Sequence, residues 1–66
     1  MEKYYSLDTP IRATIKEMQV GDLIHFPIAR LSVVRATSST LGLELARKYT
    51  ARQNSKTRTV DVERLS

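Results

Sequence analysis

The chain has 66 residues, of which 41% are hydrophobic and 27% charged, and its formal net charge is +4. This length fits a single small domain, residues 1–66, near the lower limit for independent folding. Cysteine is absent, which excludes disulfides, thiolate metal sites and cysteine nucleophiles and predicts a reducing compartment, the cytoplasm. No apolar run approaches the ~18 residues of a membrane span, and the first residues lack the apolar core of a signal peptide.

The positive charge is concentrated in the second part of the chain. Residues 1–29 hold three basic and four acidic side chains, a net charge of −1. Residues 30–66 hold eight basic and three acidic side chains, a net charge of +5. A positive excess confined to one segment favours a polyanionic partner such as nucleic acid.

The first part of the chain predicts short elements separated by turns. Residues 1–9 form either a flexible arm or an edge strand, which would pair with the C-terminal strand. The segment Asp8-Thr9-Pro10 has turn chemistry, because the residue before proline is driven out of the helical region. Thr14 is a candidate cap for one helical turn, Ile15 to Gln19, with Glu17 completing a capping box.

A short strand is predicted after the Gly21-Asp22 turn. It runs from Leu23 to Phe26, and Pro27 ends it. The alternation of a strand places Ile24 and Phe26 on one face, and Leu23 and His25 on the other.

The main helix is predicted over about residues 31–46. Apolar or small residues recur every three or four positions and so lie on one side of a helix: Leu31, Val34, Ser38, Leu41 and Leu45. Ser32 is a candidate N-cap, although a first turn at Pro27 would move the start earlier. Gly42 is either a C-cap or an interior residue, where it costs about 1 kcal/mol relative to alanine.

From Arg47 onwards apolar and polar residues alternate with a period of two, which predicts a β-hairpin. The turn is predicted at Gln53 to Thr57. Tyr49, Val60 and Val62 are the inward residues of the two strands and are expected to cover the apolar stripe of the helix.

These elements predict an α+β fold with a β-α-β-β order, in which the main helix packs on a small antiparallel sheet and the hairpin is C-terminal. An SH3-like barrel is the structural alternative, because a Gly-Asp turn entering an apolar strand is frequent there. Residues 30–46 provide too few short strands for a barrel, so the helix-containing fold is preferred.

The surface of the main helix opposite its apolar stripe carries small residues, where an ordinary solvent face carries Glu, Lys and Gln. Short side chains let a helix approach a nucleic-acid groove closely, and Arg35 can reach the acceptor pair of guanine. The alternative is that this face packs against the N-terminal segment or another subunit. The candidate nucleic-acid contacts on this element are Arg30, Ser32, Arg35, Ala36, Ser39 and Thr40.

The hairpin supplies basic candidates, with no acid between residues 45 and 60. Such residues neutralise phosphates and make binding depend steeply on salt. Positive residues on edge strands also prevent sheet-to-sheet aggregation, which is the alternative explanation. The acids of the return strand, Asp61 and Glu63, are expected to pair with Lys48 or Arg52 and to face away from a bound DNA. The candidate contacts on the hairpin are Arg47, Lys48, Arg52, Lys56 and Arg58.

The residue inventory predicts no catalytic, metal or cofactor site. The lone His25 lacks the further histidine or cysteine of a transition-metal site, so a structural or surface role is expected for it. The carboxylates are scattered, with no histidine and nucleophile placed to form a triad. The two glycines, Gly21 and Gly42, cannot form a glycine-rich phosphate loop. A non-enzymatic protein is predicted.

The helix and hairpin contain four segments whose order and pattern can be compared with known families: Ser32-Val33-Val34-Arg35-Ala36, Leu41-Gly42, Arg47-Lys48-Tyr49-Thr50-Ala51-Arg52 and Val60-Asp61-Val62-Glu63-Arg64. Over residues 14–65 the chain resembles small winged-helix-like DNA-binding proteins of phages and mobile elements. The resemblance implies a recognition helix in the major groove, with the hairpin as a wing on the backbone or in the minor groove. The pair of long helices that precedes the strand in a full winged helix is not predicted here.

We therefore predict a protein that binds double-stranded DNA in a regulatory or architectural role, in a bacterial or phage-host cell. A homodimer is plausible, because a module this small buries little DNA surface alone. Two alternatives remain open. One is a protein-interaction module, an inhibitor or adaptor whose basic hairpin meets an acidic partner. The other is an RNA or single-strand binder that uses the sheet face with Tyr4, Tyr5 or Tyr49.

Overall fold

A computed structural model describes residues 2–66, with the backbone alone at residue 2. The elements follow in order: β1 (Glu2–Tyr4), α1 (Ile11–Lys16), β2 (Leu23–Pro27), a 3-10 turn (Ile28–Arg30), α2 (Leu31–Glu44), β3 (Tyr49–Asn54) and β4 (Thr59–Arg64). The α+β class is confirmed, and so are the main helix, the strand before it and the C-terminal hairpin.

The four strands form one sheet in the order β1-β2-β4-β3. β4 pairs antiparallel with both β2 and β3, whereas β1 pairs parallel with β2. The sheet is therefore mixed, and the predicted pairing of the N-terminal strand with the C-terminal strand is wrong. β4 already has a partner on each side, and β1 pairs with the free side of β2. The loop and α1 between β1 and β2 provide the crossover that a parallel pair requires.

Both helices pack on the same face of the sheet and form the core with it. The predicted stripe of α2 is confirmed, since Val34, Ser38 and Leu41 are buried and Leu31 and Leu45 pack at the edge of the core. Each fully buried Val or Leu contributes roughly 1.5–3 kcal/mol. Packing therefore stabilises a helix whose many Val, Ser and Thr residues give it low intrinsic propensity. The other core residues come from α1, its C-terminal loop and the sheet: Ile11, Ile15, Met18, Ile24, Phe26, Val60 and Val62.

The starts of both helices differ from the predictions. α1 begins at Ile11 rather than Ile15, because Pro10 occupies the position before the helix with φ −68°, where its missing N–H is not needed. Thr14 lies inside α1 and donates its hydroxyl back to the Pro10 carbonyl (2.7 Å) instead of capping the helix. Ser32 does not cap α2 either, since the 3-10 turn that follows Pro27 brings the chain into helical conformation earlier.

The end of α2 is a Schellman motif that lacks the usual glycine. Gly42 lies within the helix, and its carbonyl accepts the N–H of Arg47 (2.9 Å). The left-handed position after the helix is held by Ala46, with φ 52°. Glycine is usual there because it has no Cβ to clash.

The hairpin turn lies slightly later than predicted. β3 extends through Asn54, so the connection is residues 55–58 rather than 53–57. The Asn54 side-chain oxygen accepts the N–H groups of Lys56 (3.1 Å) and Thr57 (3.3 Å), which is an Asx turn. Arg58 closes the turn in the left-handed region, with φ 53°.

Candidate nucleic-acid interface

One end of the domain brings together the start of α2 and the hairpin turn. The N–H of Ile28, in the 3-10 turn, donates to the carbonyl of Arg58 (3.1 Å). This bond joins the last residue of the hairpin turn to the segment from which α2 begins. We call the exposed residues at this end the tip surface: Ser32, Arg35, Ala36, Lys56 and Arg58.

The small-residue face of α2 is exposed to solvent along its whole length. Ser32, Arg35, Ala36, Ser39 and Thr40 are all exposed, so the N-terminal segment does not cover this face. Between residues 31 and 43 the helix contains one charged side chain, which is Arg35. Any ligand on this face would therefore meet short side chains and a single cation.

The charge of the tip surface is positive. Arg35, Lys56 and Arg58 are exposed, and Asp8 is the acid in the neighbouring loop. Arg30 lies close by but is only half-exposed, because its guanidinium donates to the carbonyl of Leu7 (2.5 Å) and so holds the loop before α1. The Asx turn fixes the backbone beneath Lys56 before any ligand arrives, which reduces the entropy lost on binding.

The remaining basic residues of the hairpin lie elsewhere. Arg47 is turned inward, donating to the carbonyl of Lys16 (2.7 Å) and to the hydroxyl of Tyr49 (3.0 Å). Lys48 is exposed but precedes β3, so the length of that strand, roughly 20 Å, separates it from the turn. Arg52 lies on the sheet face without helices, cross-strand from Asp61. Of the five hairpin candidates, only the two in the turn join the start of α2.

The helix-free face of the sheet carries a polar network that sequence analysis missed. His25 Nδ1 and Asp61 Oδ1 lie 2.6 Å apart, and the Tyr4 ring stacks on His25 with centroids 4.2 Å apart. Asp61 also accepts the hydroxyl of Thr59 (2.8 Å) and the side-chain amide of Asn54 (3.3 Å). His25 is buried, with 6% of its surface exposed, which agrees with a structural role.

Hydrogen bonding sets the protonation states in this network. Burial by itself would raise the pKa of Asp61, but the hydrogen bonds from His25, Thr59 and Asn54 outweigh it and lower the pKa below the ordinary 3.8. An ionised carboxylate can only accept, so Nδ1 of His25 is the donor in this pair. Strand alternation put His25 and Asp61 on outward faces, but their cross-strand register could not be read from the sequence.

The three tyrosines have different environments. Tyr49 packs against the core and donates its hydroxyl to the carbonyl of Ile15 (3.3 Å), as its predicted inward position requires. Tyr5 stacks on Phe26 at 5.5 Å between ring centroids. Tyr4 is 67% exposed, and only this ring of the three is available to a ligand on the sheet face.

Within residues 2–66, no group of three or more His, Asp or Glu side chains is placed to hold a metal ion. In the same part of the chain, no helix has the length and apolarity needed to cross a membrane. No protein-family model, curated protein or solved structure matches this chain. Function is therefore inferred from the placement of residues alone.

Proposed function

We propose that this protein binds double-stranded DNA through its tip surface, with α2 in the major groove and the hairpin turn on the adjacent backbone. The observation that carries the proposal is the hydrogen bond between Ile28 and Arg58, which holds a basic turn beside the start of an exposed, small-residue helix. Regulation or organisation of DNA would follow from such binding.

The dimensions of this end of the domain suit a duplex. From Ile28 the chain rises through the 3-10 turn and one turn of α2 to Arg35, a distance of roughly 12 Å. The major groove is about 12 Å wide, so a helix in the groove leaves the turn beside the phosphates that border it. Short side chains at Ser32, Ala36 and Ser39 permit the close approach that this placement needs.

The candidate residues then divide by role. Arg35 is the base-reading residue, because its guanidinium matches the paired acceptors of guanine, a contact worth roughly 1–3 kcal/mol of discrimination. Lys56 and Arg58 neutralise phosphates. Ser32, Ser39 and Thr40 donate hydroxyls to the backbone or to base edges. Arg30 and Arg47 serve the fold through their carbonyl contacts, so they are not assigned to DNA.

Two observations favour a duplex over a single strand on the sheet face. A single-strand platform uses several aromatic rings in succession, whereas Tyr4 is the one exposed tyrosine on that face. Asp61 and Glu63 also line the depression beside Arg52 there, and their negative charge would repel a phosphate backbone.

Salt titration of binding to a mixed-sequence duplex tests the proposal. The logarithm of affinity should fall linearly with the logarithm of salt, and Lys56→Ala and Arg58→Ala should each reduce the slope by about one unit. Arg35→Ala should weaken binding by about 10-fold or more and relax base preference. Lys16→Ala removes an exposed cation from α1 and is the matched control, with no change in slope expected.

Failure to bind duplex DNA at ~50 mM salt, where the electrostatic contribution is strong, would refute the proposal. A reduced slope for Arg52→Ala but not for Lys56→Ala would place the nucleic acid on the sheet face instead. Quenching of tyrosine fluorescence by a single strand, without duplex preference, would then support the single-strand alternative.

A further inference from the structure

A groove at the C-terminal end of α2 lies away from the tip surface and shares one residue, Ser39, with the proposed DNA contact. Its volume is about 410 Å³. The groove is open to solvent and is bordered by the last turns of α2, the start of β3 and the residue after β4, through Ser39, Gly42, Leu43, Lys48, Tyr49 and Leu65.

The rim of this groove is apolar and uncovered in residues 2–66. Leu43 is 87% exposed although it belongs to a regular helix, and Leu65 is 49% exposed. A single exposed leucine is ordinary, but two on the rim of one groove form a patch that a partner can bury. Gly42 and Ser39 carry little side-chain bulk, so the space between the two leucines stays open.

The charge around the groove is positive. Arg47 and Lys48 contribute to its lining, and none of the described residues that line it is acidic. Glu44, the acid nearest in sequence, is engaged by the guanidinium of Arg12 (2.5 Å). Arg47 is held in place by the carbonyl of Lys16 and the hydroxyl of Tyr49, while Lys48 is exposed and able to meet a carboxylate.

We propose that this groove binds an acidic segment of a partner protein, which inserts one large apolar side chain between Leu43 and Leu65 and places a carboxylate beside Lys48. A second copy of this chain fits less well, because a symmetric contact on the groove would bring the Lys48 side chains of both copies together. The groove and the tip surface lie towards opposite ends of a 14-residue helix, about 20 Å long, and of the residues proposed to contact DNA only Ser39 also lines the groove.

The test is an NMR shift titration of the full chain with a short capped peptide of Asp and Glu around one central Phe. The amide signals of Gly42, Leu43 and Leu65 should shift saturably. A peptide with Ser in place of Phe, and one with Asn and Gln in place of the acids, should each bind at least 10-fold more weakly. Leu43→Ser and Lys48→Glu should weaken binding about 10-fold, and Val33→Ser, which changes another exposed apolar residue of α2, should not.

Absence of saturable shifts at millimolar peptide would overturn the proposal, as would equal binding of the peptide that lacks Phe. Sedimentation could instead show a concentration-dependent dimer that Leu43→Ser dissociates. This result would assign the groove to a second copy of the chain and would also overturn the proposal. If duplex DNA displaces the peptide and shifts the same amide signals, the groove is part of the nucleic-acid surface, and the proposal of a protein partner is overturned. If the original chain binds the peptide as expected but does not bind duplex DNA, the DNA proposal is refuted and the proposal for the groove stands.

Discussion

Replacing Asp61 with alanine should destabilise the fold far more than its partly exposed position suggests. The substitution removes the acceptor of three hydrogen bonds at once. Thr59 and Asn54 are half-buried and can turn towards water, whereas His25 is buried and its Nδ1–H would lose its carboxylate partner. A hydrogen bond to a charged group contributes roughly 1.5–3 kcal/mol, so we expect a loss of about 2–3 kcal/mol. A core of this size supplies only ~3–5 kcal/mol net.

The same network predicts how stability depends on acid. The folded pKa of Asp61 is lowered relative to the ordinary 3.8, so its ionised form is favoured by folding. The contribution of Asp61 to the free energy of unfolding is therefore fully present above the unfolded pKa. It is lost as the pH falls below about 3.8 towards the folded pKa. Asp61→Asn keeps the shape and one acceptor but removes the charge, so its stability should lack this part of the acid dependence.

Urea unfolding followed by far-UV circular dichroism, repeated from neutral pH to about pH 2.5, measures both effects. Glu63→Ala is the matched control, because Glu63 is an exposed acid on the same strand and the same face of the sheet. It should change the free energy of unfolding by no more than about 0.5 kcal/mol. A similarly small effect of Asp61→Ala, or identical acid dependence in the original chain and Asp61→Asn, would show that the network does not stabilise the fold.

Three further substitutions, two of them paired with a control substitution, test the fold by the same urea measurement. Ala46→Gly should stabilise by about 1 kcal/mol, because alanine is held in the left-handed region there, whereas Ala36→Gly inside α2 should destabilise by about 1 kcal/mol. Leu41→Ala should cost about 2–4 kcal/mol, and the exposed Leu43→Ala should cost less than about 0.5 kcal/mol. Arg58→Gly should stabilise by roughly 0.5–1 kcal/mol, since Arg58 is also left-handed, while it weakens duplex binding in a gel-shift assay.

The main helix was predictable because its apolar pattern recurs every three or four residues over its whole length. Five positions share one phase, and a single ambiguous residue such as Gly42 does not disturb it. The position of β1 was not predictable in this way. A three-residue strand has no useful period, and its choice between β2 and β4 depends on which strand edge the hairpin leaves free. The start of α1 is hard to predict because Asp8-Thr9-Pro10 is typical of a turn, and a proline in such a turn can equally be the residue before a helix, as Pro10 is here.

For the candidate site, the sequence identifies the basic residues but does not show where the fold puts each of them. Five basic residues with no acid among them lie between Arg47 and Arg58 in the sequence, but the fold distributes them over three regions. Part of this could have been foreseen, because Arg52 alternates with the core-facing Ala51 and must lie on the other face of the sheet. The inward turn of Arg47 could not, since it depends on where the end of α1 presents the carbonyl of Lys16.

The polar network on the helix-free face explains how so short a chain can leave that face without a second layer. Its side chains come from every strand: Tyr4 from β1, His25 from β2, Thr59 and Asp61 from β4, and Asn54 from β3. Asn54 uses both ends of its amide, donating to Asp61 on one side and accepting from Lys56 and Thr57 on the other. The interactions that hold the N-terminal strand to the sheet therefore continue into the backbone of the basic turn. Asp61, which is not part of the tip surface, thus helps to set the geometry in which Lys56 and Arg58 are presented.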